Sequence, residues 1–302
     1  MRFFQAKNFR WFSAKRWRAN MDAIYTLMEN ILPFSWAEYN FMKNALLTIL
    51  IISPMFGILG TMIVNNKMAF FSDALGHSAL TGVAIGTLLG IADINLSMLI
   101  FAILFALFLN NIKRRKTLSS DTVISVFASL SMAIGLVVLS KGGNFAKYSA
   151  LLVGDVLSIT TEEIGYLAII FVIALLFWIV CFNKLNSISV NETLAKSKNI
   201  NVVLLEDIFS VLIAVIVMSS VRWVGILIIN ALLILPAAAS RNMSANVREY
   251  HLFSLIISLF SGIAGLLISY YAGTAAGPTI VIISAVIFFI TLLLSPILKH
   301  NV

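Results

Sequence analysis

The chain has 302 residues, 60% of them hydrophobic and 11% charged, with a mean hydropathy of +1.00. An average soluble domain carries roughly 25% charged residues, so this balance excludes a soluble globular protein and describes one integral membrane domain with no long polar block beside it. The net charge of +8 does not require a nucleic-acid partner, because in so apolar a chain Lys and Arg act as topology signals.

Residues 1–20 interleave Arg2, Lys7, Arg10, Lys15, Arg16 and Arg18 with Phe and Trp, the composition of a segment lying on anionic membrane lipid. Nine apolar segments of about spanning length follow, near 42–63, 69–90, 94–112, 122–140, 163–182, 205–221, 223–240, 251–271 and 278–297. The expected fold is therefore an all-α polytopic transmembrane helix bundle of about eight or nine spans in the cell membrane. The two segments flanking Arg222 are short enough to read as a tight hairpin or half-spans. With nine spans and the N-terminus outside, the inner connections hold eleven basic residues and the outer ones, from Met21 on, hold four. Counting residues 1–20 would raise the outer total to ten and erase the bias, so residues 1–20 read as an untranslated or atypical outer extension and 21–302 as the transmembrane domain.

The second segment, AFFSDALGHSALTGVAIGTLLG, is the one that carries an acid and a histidine. As a helix it puts Asp73, His77 and Thr81 on one stripe. Ala74, Ser78, Gly82, Gly86 and Gly90 form a second stripe of small residues that lets a neighbouring helix approach closely. An ionisable residue inside a span costs roughly 2.5–3.5 kcal/mol and normally faces a bundle interior or a wet path. A carboxylate with a neutral imidazole suits zinc, manganese or ferrous iron better than magnesium or calcium. The alternative is that Asp73 caps the helix start and His77 makes one structural hydrogen bond.

Further along, the outer connection 141–162 contains Asp155 and Glu162, and Glu163 follows it, all three read as solvated surface acids. The inner loop after the fifth span holds Asn191, a possible N-cap for a short helix containing Glu192 and Ala195 and ending at Asn199. The seventh span has Asn230 at mid-depth, expected to bond between helices, and Pro236, expected to kink the helix. His251 and His300 have no acidic neighbour in sequence and do not read as ligands. The single cysteine, Cys181, permits no internal disulfide and reads as a buried inert thiol. No Gly-x-x-x-x-Gly-Lys-Ser/Thr loop is present, so nucleotide-driven work needs another subunit and the chain is not expected to be an enzyme itself.

Four stretches, FFSDALGHSALTG, SALLVGDVLSIT, NETLAKSKNIN and RWVGILIINALLILPAAASR, give the chain a resemblance to the permease subunits of ABC-type zinc and manganese importers, from about Glu38 to Ile297. The resemblance implies a homodimer over two cytoplasmic ATP-binding subunits, fed by an extracytoplasmic metal-binding protein, with the divalent metal as cargo and no permanently bound cofactor. It implies that Asp73 and His77 belong to an intramembrane metal site or gate, and that Glu192, Ala195 and Asn199 mark the helix gripped by the ATP-binding subunit. The family pattern there is Glu-x-x-Ala-x-x-x-Gly. Asn199 stands at the Gly position and also tolerates the left-handed conformation. Two rival readings stand beside this one: a permease for a metal chelate such as a siderophore or corrinoid, and a partner-independent secondary metal carrier.

Overall fold

The structure is a computed structural model that describes residues 14–31, 34–114, 120–141, 143 and 145–300. Among them there is no strand. The helices are α1 (Ala14–Ile31), α2 (Asn40–Asn65), α3 (Ala69–Leu88), α4 (Ile94–Lys113), α5 (Ser120–Lys141), α6 (Phe145–Tyr148), α7 (Ala150–Val153), α8 (Thr161–Val190), α9 (Glu192–Ser197), α10 (Val202–Val224), α11 (Ile226–Met243), α12 (Val247–Ala272) and α13 (Ala276–His300). The nine long helices from α2 onward fall where the nine apolar segments predict them. Seven are long and apolar enough to cross a membrane. The other two are α3, whose Asp73, His77, Ser and Thr residues dilute its apolar character, and α11, the shortest of the nine at 18 residues.

The connections sort to two ends. At one, assigned outside by charge, Asn44 donates to the Ile159 carbonyl (3.1 Å), and Arg222 pairs with Glu163 (2.5 Å). At the other, α4 meets the start of α10 and the short α9 folds back on α8.

α10 is a full span of 23 residues, so the half-span reading does not hold for it. It is divided from α11 by one residue, Gly225, with φ +93°. That turn lies against Gly154, φ +70°, and a Cβ on either glycine would overlap the other segment's backbone. The 150–160 part of the outer connection is therefore folded against the α10–α11 turn. Val156 and Ile159 are buried, Asp155 accepts from the Leu157 N–H (3.0 Å), and Thr160 with Glu163 forms a capping box on α8. Asp155 and Glu162 are exposed, as surface acids are, while Glu163 is half-buried in its cap and its pair with Arg222.

Small residues set the interhelical distances. Gly60 of α2 lies directly on the Leu233 carbonyl of α11, beside Pro236, and α11 runs on through Pro236 to Met243. Ser254 and Ser258 of α12 donate to the Gly57 (2.7 Å) and Ser53 (2.6 Å) carbonyls of α2. Hydroxyls aimed at a neighbouring backbone, together with missing side chains, are how helices adhere where lipid removes the hydrophobic drive.

α1 continues through Met21, which is buried together with Met28. Of the predicted basic extension, residues 1–13 lie outside the described residues, and the boundary drawn at Met21 falls inside a helix. α1 covers Lys43, which is 2% exposed and pairs with Glu29, while Tyr25 donates its hydroxyl to Asn44. A buried ammonium needs its carboxylate. Glu29→Ala is thus expected to undock α1 and open the 32–39 connection to protease, and a cleavage pattern like wild type would refute that dependence.

Candidate functional site

Helix α3 is enclosed on three sides. On the α4 side a Cβ at Gly82 would sit 2.7 Å from Met98 Cα, one at Gly86 would sit 2.7 Å from Ser97 Cβ, and Ser97 Oγ donates to the Gly82 carbonyl (2.7 Å). Gly90 does not extend this packing stripe. It has φ +67°, nothing lies within 4 Å of where its Cβ would be, and Ile91 N–H bonds the Gly86 carbonyl (2.9 Å), so it ends the helix as a left-handed stop.

On the α5 side Gly135 abuts the backbone of Leu80 and Thr81; Thr81 Oγ1 donates to the Ser131 carbonyl, and Ser131 Oγ donates to Thr81 Oγ1 (3.0 Å). Thr81 is thereby withdrawn from the polar stripe into helix packing. On the α11 side Ser72 Oγ donates to Asn230 Oδ1 (2.6 Å), a membrane interhelical bond worth about 0.6 kcal/mol. Sequence reasoning does not single out Ser72, Ser97 or Ser131, since serines in spans are common and only the partner reveals the role.

What remains open is informative: from Phe71 to Ala84 every residue is buried except Asp73 and His77. Their side chains are 40% and 24% exposed, and Asp73 Oδ2 lies 3.5 Å from His77 Nε2. The helix N-cap is Met68, so Asp73 does not cap it, and His77 Nδ1 has no protein partner. Two ligands about 2.1 Å from a tetrahedral metal sit roughly 3.4 Å apart, so the pair has the spacing to offer two vertices to one ion. Among the described residues no third His, Cys, Asp or Glu gathers with them. One chain thus presents an acid and an imidazole side by side, both partly exposed.

The other histidine within a span, His251, is buried among Trp178, Phe182 and Tyr250, and its Nδ1 bonds the Val247 carbonyl (2.8 Å), which fits the reading that it is not a ligand. Cys181 is only partly buried.

At the inner end Asn191 caps α9, its Oδ1 accepting from Thr193 (2.9 Å) and Leu194 (3.1 Å). Glu192 and Lys196 pair one turn apart (2.6 Å), Ala195 is fully buried, and Asn199 takes φ +57° so that Ile200 N–H reaches the Ala195 carbonyl (3.2 Å). A β-branched residue there would pay roughly 1–2 kcal/mol for the left-handed backbone. Asn199→Val is expected to lower the thermal midpoint while Asn199→Gly matches wild type; equal midpoints of the two variants would show that the left-handed turn is not needed.

Residues 38–295 match the ABC 3 transport family. The chain is 33% identical over 249 residues, 82% of its length and 95% of the relative's, to the high-affinity zinc uptake system membrane protein ZnuB of Haemophilus influenzae. It is 28% identical over 264 residues, 87% of its length and 94% of the relative's, to the manganese import system permease protein ScaB of Streptococcus parasanguinis. Among solved structures it is similar to PsaBC from Streptococcus pneumoniae in complex with Fab, with TM-score 0.77, 25% identity, and coverage of 93% of this chain and 98% of that one. With most of its length matched, its nine long helices in place and relatives that are membrane permeases, the chain is a multi-pass membrane protein that belongs to the ABC 3 transport family.

Proposed function

We propose that this chain is the membrane-spanning subunit of an ATP-driven importer that moves a divalent transition-metal ion, zinc or manganese, into the cytoplasm. It works as a homodimer on cytoplasmic ATP-binding subunits and receives its ion from an extracytoplasmic metal-binding protein. The observation that carries this reading is the exposure of Asp73 and His77, 3.5 Å apart, on a helix buried everywhere else from Phe71 to Ala84. Zinc and manganese proteins both stand among the relatives.

Leaving an acid and an imidazole against lipid is costly, whereas a second copy would cover them and supply a second pair. Two ligands from each chain, or two completed by water, hold an ion transiently. A closed four-thiolate or thiolate–imidazole cage, by contrast, binds zinc so tightly that it would not leave. ATP-driven motion at α9 then opens the path inward. The metal is cargo, and hydrolysis belongs to the partner subunit.

The test is uptake of labelled zinc and manganese by the complex in proteoliposomes, each with the other as competitor. Uptake that depends on ATP and on the metal-binding protein supports the reading. Uptake by this chain alone would establish a secondary carrier in its place, and competition only by a chelate would establish a chelate permease.

A further inference from the structure

The inner ends of α4 and α10 are joined by a polar cluster that the metal site does not use. Asn110 and Arg114, one turn apart on α4, both address Asp207 of α10. Asn110 is 2% exposed and donates from Nδ2 to Asp207 Oδ1 (2.9 Å) and Ser210 Oγ (2.8 Å). Arg114 grips the same carboxylate with both arms, Nη1 to Oδ2 (3.2 Å) and Nη2 to Oδ1 (2.6 Å), and also reaches the Val203 carbonyl (3.0 Å). Glu206 stands 3.9 Å from the same guanidinium.

A forked guanidinium–carboxylate pair fixes rotation as well as separation, which a lysine cannot do. Its position matters more than its strength. α9, the helix in the grip of the ATP-binding subunit under the proposed function, is followed by only residues 198–201 before α10. The left-handed Asn199 and the Asn201 cap, whose Oδ1 accepts from Leu204 (3.1 Å), leave little slack there. α10 is clamped to α4, and α4 is seated on the Gly82 and Gly86 face of α3, four residues and more beyond the acid and the imidazole.

We infer that Arg114, Asn110 and Asp207 are positioning residues that carry the movement of α9 through α10 and α4 to helix α3. This rests on the proposed function for its direction of force but not for its geometry. A chain of stiff contacts becomes a transmission route only when breaking it uncouples the two ends.

The experiment uses the full complex with Asp207→Asn, Arg114→Ala and the double variant, together with a spin label at Leu88, at the exposed end of α3, to report its motion on ATP-analogue binding. Asp207→Asn is expected to assemble normally and keep its basal ATP hydrolysis, while the metal moved per ATP falls about tenfold, as coupling residues allow, and the Leu88 label stops responding to nucleotide. The double variant is expected to be no worse than either single one, because the residues act as a unit. A Leu88 response in Asp207→Asn equal to wild type, additive losses in the double variant, or loss of assembly and hydrolysis in step with transport would each overturn the inference. Movement of α3 in a wild-type complex that transports no metal would sink the metal reading and leave the clamp standing.

Discussion

Replacing Asp73 or His77 with Ala is expected to lower ATP-dependent metal uptake by at least about 100-fold, since losing even an outer partner of a metal ligand costs about 10–100-fold, with no loss of folding or assembly. The physical basis is that no ion pair to another helix holds either side chain among the described residues. Each is partly exposed, and the only close polar partner of His77 is Asp73 itself. Asp73→Asn keeps the shape and removes the charge, so it should also fail, which separates ligation from bulk. Thr81→Val is the contrasting control. It lies on the same stripe in sequence, yet its hydroxyl is spent on Ser131, so it should reduce thermal stability and spare metal selectivity. Uptake measured over a range of zinc and manganese concentrations decides the matter. Wild-type rates in the Asp73 and His77 Ala variants would end the assignment of the site.

The largest effect on stability is expected at Gly225. Its φ of +93° is one that side-chain-bearing residues adopt only at a cost of about 1–3 kcal/mol. An added Cβ would also be driven into the carbonyl group of Val153, which belongs to backbone and cannot swing aside. Together these place Gly225→Ala among the rare single substitutions costing about 4 kcal/mol or more. Gly154→Ala meets the same contact from the other side, with its Cβ against Val224 and Gly225. The two substitutions should therefore be less than additive, because either one already separates the segments. Thermal unfolding of the purified protein in detergent measures this directly. An unchanged midpoint for Gly225→Ala would show that the outer crossing is more yielding than its geometry implies.

The glycine pair also shows why the docking of the outer connection is not legible in the sequence. Gly154, Asp155, Glu162 and Glu163 have the composition of a solvated loop. The Asp155 turn cap and the Glu163 capping box are local, but the ion pair of Glu163 with Arg222 and the contact of Gly154 with Gly225 appear only when segments some sixty to seventy residues apart are brought alongside. Gly90 was assigned to packing because it repeats at four-residue spacing, but spacing along a helix cannot reveal that the helix has already ended. The clamp of Arg114 on Asp207 was equally hidden, since basic residues at an inner helix end satisfy the topology rule and draw no further notice.

By itself the sequence determined that this is a polytopic membrane helix bundle of about eight or nine spans, and which span holds an acid and an imidazole one turn apart. Those properties depend on hydropathy, charge placement and helical period, all of which are local along the chain. Which side of that span remains open was decided only by tertiary structure. Three neighbours, α4, α5 and α11, take up the glycine, threonine and serine faces and leave Asp73 and His77 alone uncovered. Burial is a property of what packs against a residue, and the neighbours lie anywhere from 15 to 158 residues away.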